Sequence, residues 1–158
     1  MFSRLQSGYT VASHSIQPFA SRGQSMTAIE TVQAYYDAFN AQDMDRFLAL
    51  LTDDVVHDIN QGERQVGKDA FGKFMQHMNR CYRETLTDMV IMANDDGSRA
   101  AAEFVVNGEY LATDEGLPEA KGQTYRLPAG AFFEVRDGKV ARVTNYYSLN
   151  DWIAQVSA

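Results

Sequence analysis

Apolar and polar positions along the chain follow two periods, and the change between them predicts the architecture. Ile29, Val32, Tyr36 and Phe39 recur at helical spacing, so a helix is expected over residues 28–40. Thr27-Ala28-Ile29-Glu30 just before it reads as a capping box, in which Thr27 and Glu30 satisfy free amides of the first turn. Asp43 caps a second predicted helix that buries Met44, Phe47, Leu48 and Leu51. Residues 55–60 read as a strand. Gly67 opens a third helix with Phe71, Phe74, Met75, Met78 and Tyr82 on one stripe, a core face rather than a cofactor box.

From Leu86 the period falls to two. Residues 86–93, 99–113, 124–136 and 139–149 are predicted as four long strands, with hairpin turns at Asn94-Asp95-Asp96-Gly97 and Asp137-Gly138. Residues 114–123 form a longer polar connection, either a lid over a pocket mouth or a plain surface loop. Helices come first and strands after, without βαβ alternation. The expected class is α+β: three N-terminal helices on a curved, mostly antiparallel sheet.

Composition narrows the partners. The 158 residues carry 14 basic against 21 acidic side chains, a net charge of −7, which argues against nucleic acid and against an anionic membrane surface. No apolar run approaches the ~18 residues of a membrane span. One cysteine, Cys81, permits no intrachain disulfide, and a cytoplasmic location is expected. Residues 1–25 hold no acid and six serines; they are expected to be a disordered extension or the product of a start assigned too early, with one folded domain over 26–158. No phosphate loop, dinucleotide fingerprint or metal-ligand spacing occurs, so neither a cofactor nor a metal is expected.

Several segments carry a family likeness: Tyr35-Tyr36-Asp37-Ala38-Phe39-Asn40-Ala41-Gln42-Asp43, Leu51-Thr52-Asp53-Asp54-Val55-Val56-His57-Asp58, Val66-Gly67-Lys68-Asp69-Ala70-Phe71, and Arg136-Asp137-Gly138-Lys139-Val140-Ala141-Arg142-Val143. With the order of elements, they resemble the nuclear transport factor 2-like superfamily, and within it the ketosteroid isomerase-related and SnoaL-like proteins. The resemblance spans roughly residues 27–153 and implies a cone-shaped fold around a small-molecule pocket. It places Asp58 at the proton-moving aspartate of the isomerases and Tyr35 at their oxyanion-donating tyrosine, an arrangement that is a standard example of paired acid and phenol. The third position, a protonated acid, falls at Ala131, or at Gly130 with a one-residue slip, and neither side chain can donate.

The resemblance further implies that Asn145 and Tyr147 on the last strand line the pocket and can stand in as donors. Tyr110, Phe104 and Phe133 are candidate substrate-contacting residues by their strand faces. Strand alternation sends His57 and Asp58 to opposite sides, so they form no dyad; His57 is expected outward or at a subunit interface, and His77 solvated. The expected function is an isomerase or cyclase moving a proton on a small apolar carbonyl compound. The alternatives are a ligand-binding protein without chemistry, motivated by Ala131, and a protein-association module, since this superfamily commonly forms homodimers. An epoxide hydrolase would need an Asp–Arg–Asp set, which the spacing does not assemble.

Overall fold

The computed structural model describes residues 25–158, so the expectation for the N-terminal extension lies almost wholly outside the described residues. The elements run α1 (Ala28–Asn40), α2 (Met44–Ala49), β1 (Leu51–Asp58), β2 (Arg64–Val66), α3 (Lys68–Cys81), β3 (Tyr82–Ala93), β4 (Arg99–Tyr110), β5 (Thr124–Arg136), β6 (Lys139–Tyr147) and α4 (Leu149–Val156). The α+β class stands. Two elements go beyond the sequence reading: the short strand β2 and the C-terminal helix α4.

Local chemistry explains the boundaries. The capping box forms as expected: the Glu30 amide donates to Thr27 Oγ1 at 3.3 Å and the Thr27 amide donates to Glu30 Oε2 at 2.8 Å. Asp43 accepts from the Arg46 amide at the start of α2. α2 is shorter than predicted, and Leu51 opens β1 instead of closing the helix. α3 ends at Cys81, so Tyr82 is the first residue of β3 and not the last of the helical stripe. Ser148 caps α4 by accepting from the Asp151 amide at 3.2 Å.

The sheet order is β2-β1-β6-β5-β4-β3. All neighbours are antiparallel except β1 and β6, which run parallel. Asp137 and Gly138 both hold positive φ, 52° and 70°, and form the tight β5–β6 turn closed by Arg136 opposite Lys139. A bulge between Thr87 and Val90 interrupts the β3–β4 register.

One face of the sheet carries the core. Ala100, Ala102, Phe104 and Val106 of β4 are buried at alternate positions, and Ala131 and Phe133 of β5 and Val143 of β6 continue that face. Tyr35 and Tyr36 of α1, Phe47 of α2 and Phe71 of α3 pack against it. Each large side chain so buried stabilises the fold by about 1.5–3 kcal/mol. The opposite face leaves Phe132 and Tyr146 half-exposed, edge to face at 5.8 Å. Among the described residues no helix is long and apolar enough to cross a membrane.

Candidate functional site

Helices and curved sheet do not close completely, and a cavity of about 510 Å³ remains between them. Its wall draws Tyr35, Tyr36 and Phe39 from α1, Phe71, Phe74 and Met75 from α3, and Phe104 and Val106 from β4. Trp152 of α4 closes one end, its ring 5.0 to 6.0 Å from those of Tyr82, Tyr110 and Tyr125. A recess with a mostly apolar surface and polar side chains set into it is the usual form of a small-molecule site.

Strand alternation decides the roles at the end of β1. His57 pairs with Val143 on the helix-covered face, and Asp58 pairs with Thr144 on the other. The expectation of an outward His57 is therefore corrected: it is 3% exposed, stacks on Phe71 at 4.5 Å and meets Phe74 edge-on at 4.5 Å. Desolvation lowers its pKa to about 4, against a smaller opposing effect of Asp58, so the ring is neutral at pH 7. Its Nδ1 is buried without a hydrogen-bond partner among the described residues.

Asp58 reaches the cavity rim, but two guanidinium groups hold its carboxylate. Arg64 Nε donates to Oδ1 at 2.6 Å and Nη2 to Oδ2 at 3.1 Å, while Arg142 Nη1 donates to Oδ2 at 3.0 Å. The hydrogen bond from Arg64 is the largest influence, and the carboxyl is held below its ordinary pKa. That is the setting of a stable carboxylate, and it weakens Asp58 as a base. Arg142 also donates to Glu134 Oε1 at 3.1 Å, so an acid–arginine–acid set does form. Arg142 and Glu134 lie outside the cavity wall, so Asp58 alone of this set reaches the cavity.

Tyr35 lines the cavity, with its ring 4.4 Å from that of Phe47 and 5.1 Å from that of Tyr36. Burial raises the pKa of both phenols, so both stay protonated and remain donors. The Tyr36 hydroxyl is buried without a partner among the described residues. Asn145, Tyr147 and Phe104 reach the cavity wall as well, Asn145 directly opposite Ala131 in the sheet. Tyr110 and Phe133 stand behind the wall: Tyr110 stacks on Tyr82 at 5.3 Å, and Phe133 packs against Tyr35 and Tyr36.

The connection between β4 and β5 covers part of the mouth through Asp114, Glu115 and Leu117. It is clasped to the body: Asp114 Oδ1 lies 2.9 Å from His77 Nε2, and Tyr82 donates to Asp114 Oδ2 at 2.9 Å. His77 is thus engaged in this clasp and lines the cavity, instead of being simply solvated. His77, Cys81 and Asp114 bring potential metal-ligand atoms within 4.8 Å of one another. Arg80 Nη2 sits 3.0 Å from His77 Nδ1, and its positive charge opposes a cation there.

The profile of the SnoaL-like domain family matches residues 32–143. The chain belongs to this family. It also sits within the nuclear transport factor 2-like superfamily, as the sequence resemblance implied. A solved structure of a "putative polyketide cyclase" from Pseudomonas putida is 70% identical, with a TM-score of 0.82 over 84% of this chain and 99% of the other. Proteins of the same description from Xanthomonas campestris and Silicibacter are 61% and 58% identical, with TM-scores of 0.79 and 0.82. They cover 82% and 85% of this chain and 96% and 98% of their own. No curated protein matches the sequence.

In this SnoaL-like domain the sequence reading missed His57, Tyr36, Trp152 and one acid, Glu84. Glu84 lines the cavity and accepts a hydrogen bond from the Tyr125 hydroxyl at 2.6 Å. Burial raises its pKa, partly offset by that hydrogen bond. The signal for α4 was present in Ser148-Leu149-Asn150-Asp151, which has the form of a helix start.

Proposed function

We propose that this SnoaL-like domain is an isomerase or cyclase that binds a small apolar carbonyl compound in the cavity and moves a proton within it. The observation that carries the reading is the cavity itself: an aromatic, mostly apolar wall with phenols kept protonated by burial. Tyr35 and Asn145 offer hydrogen-bond donors to a carbonyl oxygen. A well-placed donor of this kind is worth about 3 kcal/mol when negative charge develops on that oxygen. The neutral His57 adds a polar anchor that costs no buried charge. Polyketide cyclase is the description carried by the 70%-identical relative, and it agrees with carbonyl chemistry of this kind.

A second reading, a binding protein without chemistry, is favoured by one observation: the expected base, Asp58, is bound by two arginines. One experiment separates the readings. The chain has a single tryptophan, and Trp152 lines the cavity, so quenching of its fluorescence reports binding. Proton NMR in deuterium oxide follows loss of the α-proton signals of 2-tetralone and its benzo-fused homologues. Quenching with accelerated exchange supports the isomerase or cyclase. Quenching without exchange selects the binding protein, and absence of both removes both readings.

A further inference from the structure

The donors along the cavity wall need an acid–base partner, and the position expected from the family likeness, Asp58, is held as a weak base by two guanidinium groups. Another carboxyl group lines the wall, on β3. Tyr82, Glu84 and Leu86 alternate towards the cavity, and Glu84 pairs across the sheet with Gly108, which pairs in turn with Tyr125. The three residues form a row across β3, β4 and β5. Gly108 is the gap in that row. A Cβ built there would lie 2.1 Å from Tyr125 Cζ and 2.5 Å from its hydroxyl. The Tyr125 ring therefore lies across the glycine, and its hydroxyl reaches Glu84 Oε1 at 2.6 Å. Any other residue at 108 would occupy the path of the phenol.

We propose that Glu84, held by Tyr125 across Gly108, is the catalytic residue that takes and returns the proton of an enolisable ketone bound in the cavity. The assignment rests on the proposed function and names the group that performs it. In the forward step the carboxylate oxygen forms an O–H bond as the α C–H bond breaks. The C–H electron pair becomes the enolate double bond, and the carbonyl π pair moves to oxygen, facing the phenol and amide donors. Returning the proton to that carbon or to a conjugated one restores the carbonyl. No electrons leave the substrate, and no co-reactant is required.

The surroundings make Glu84 a stronger base than an exposed glutamate. Burial among apolar groups holds Glu84 above the ordinary glutamate range, whereas Asp58 is held below its own. The titratable groups facing it are phenols: Tyr125 from β5 and Tyr147 from β6, whose own pKa values are raised first by burial and then by Glu84. Asp114, from the loop over the mouth, bears on Tyr147 more weakly. Tyr125 is a positioning residue that fixes one carboxylate oxygen and leaves the other for the ligand.

Two measurements on the full chain test the assignment. The first needs no substrate: carbon-13 NMR of glutamate-labelled protein, with the Glu84 signal identified by its loss in Glu84→Gln. Glu84 should titrate above the ordinary range, and Tyr125→Phe should move it higher, because the phenol favours the charged form. Titration in the ordinary range overturns the proposal. The second is deuterium exchange into 2-tetralone. Glu84→Gln keeps an acceptor for Tyr125 and should lower exchange by roughly 10²- to 10⁴-fold, with the dissociation constant from Trp152 quenching changed less than about threefold. In Tyr125→Phe the alkaline rise of the exchange rate should shift upward with the Glu84 titration, a change that a merely structural tyrosine would not produce. If the wild-type protein exchanges and Glu84→Gln retains most of that rate, Glu84 is not the base while the proposed function survives. If the wild-type protein itself fails to exchange, the proposed function falls and this assignment with it.

Discussion

Acid sensitivity between pH 6.5 and 4 should be governed by one side chain, His57. The unfolded chain protonates this imidazole near 6.5, whereas the folded ring, pressed between Phe71 and Phe74, resists protonation until about pH 4. Above 6.5 both states are neutral and nothing is lost. Between the two values the unfolded state binds the proton and the folded state does not, so stability falls as the pH falls. A gap of about 2.5 pH units at about 1.4 kcal/mol per unit gives about 3.5 kcal/mol in full, and roughly 2.5 kcal/mol between pH 7 and pH 4.5. The group is almost wholly buried, so solvent screening takes little from this. Glu84 acts in the opposite sense: its raised pKa means that the folded state gains the proton first on acidification. The measurement is therefore a difference: urea unfolding followed by Trp152 fluorescence, wild type against His57→Phe, at both pH values. The wild type should lose about 2.5 kcal/mol more than the variant. If the two lose stability in parallel, to within about 0.5 kcal/mol, the buried neutral histidine is not the cause.

Three further outcomes are expected. Gly108→Ala drives a methyl into the Tyr125 ring and should cost about 1–3 kcal/mol in urea unfolding, with the Tyr125–Glu84 hydrogen bond displaced in a crystal structure of the variant. Asp114→Ala removes the acceptor shared by His77 and Tyr82; hydrogen exchange over residues 111–123 should rise while that of β4 and β5 stays slow. Asp58→Asn leaves two guanidinium groups without their carboxylate and should cost on the order of 1–2 kcal/mol at pH 7, between the values for surface and buried pairs. Since the Asp58 pKa is lowered, its contribution is present above about 3.8 and lost as the pH falls through the folded value, so the variant's acid limb should be flatter in denaturation curves.

Local signals made much of the fold legible. The capping box at Thr27, the start of α3 after Gly67 and the Asp137-Gly138 turn all depend on neighbours within a few residues, and each has the predicted form. The site was harder. Strand alternation separates His57 from Asp58, as the structure shows, but does not say which side of β1 the helices cover; the family likeness drew attention to Asp58. Glu84 escaped because the helical stripe was carried on to Tyr82, which hid the first turn of alternation in β3. Gly108 has no meaning in sequence at all. Its role depends on register with Glu84 and Tyr125, 24 and 17 positions away, and register is decided by tertiary pairing. The helix α4 was overlooked for a simpler reason: apolar alternation in β6 was extended two residues past its end.

The parallel pairing of β1 with β6 also bears on how the chain reaches its native state. The ion pair that accompanies it, Asp58 with Arg142, joins residues 84 positions apart. A ribosome releasing this chain from its N-terminus would expose β1 and the apolar sides of three helices well before their last strand exists. Closing so long a loop carries an entropic cost that only late contacts repay, which slows the search. Nascent fragments ending before residue 139 should therefore remain protease-sensitive and recruit chaperones, and resistance should arise in one step when β6 and α4 clear the exit tunnel.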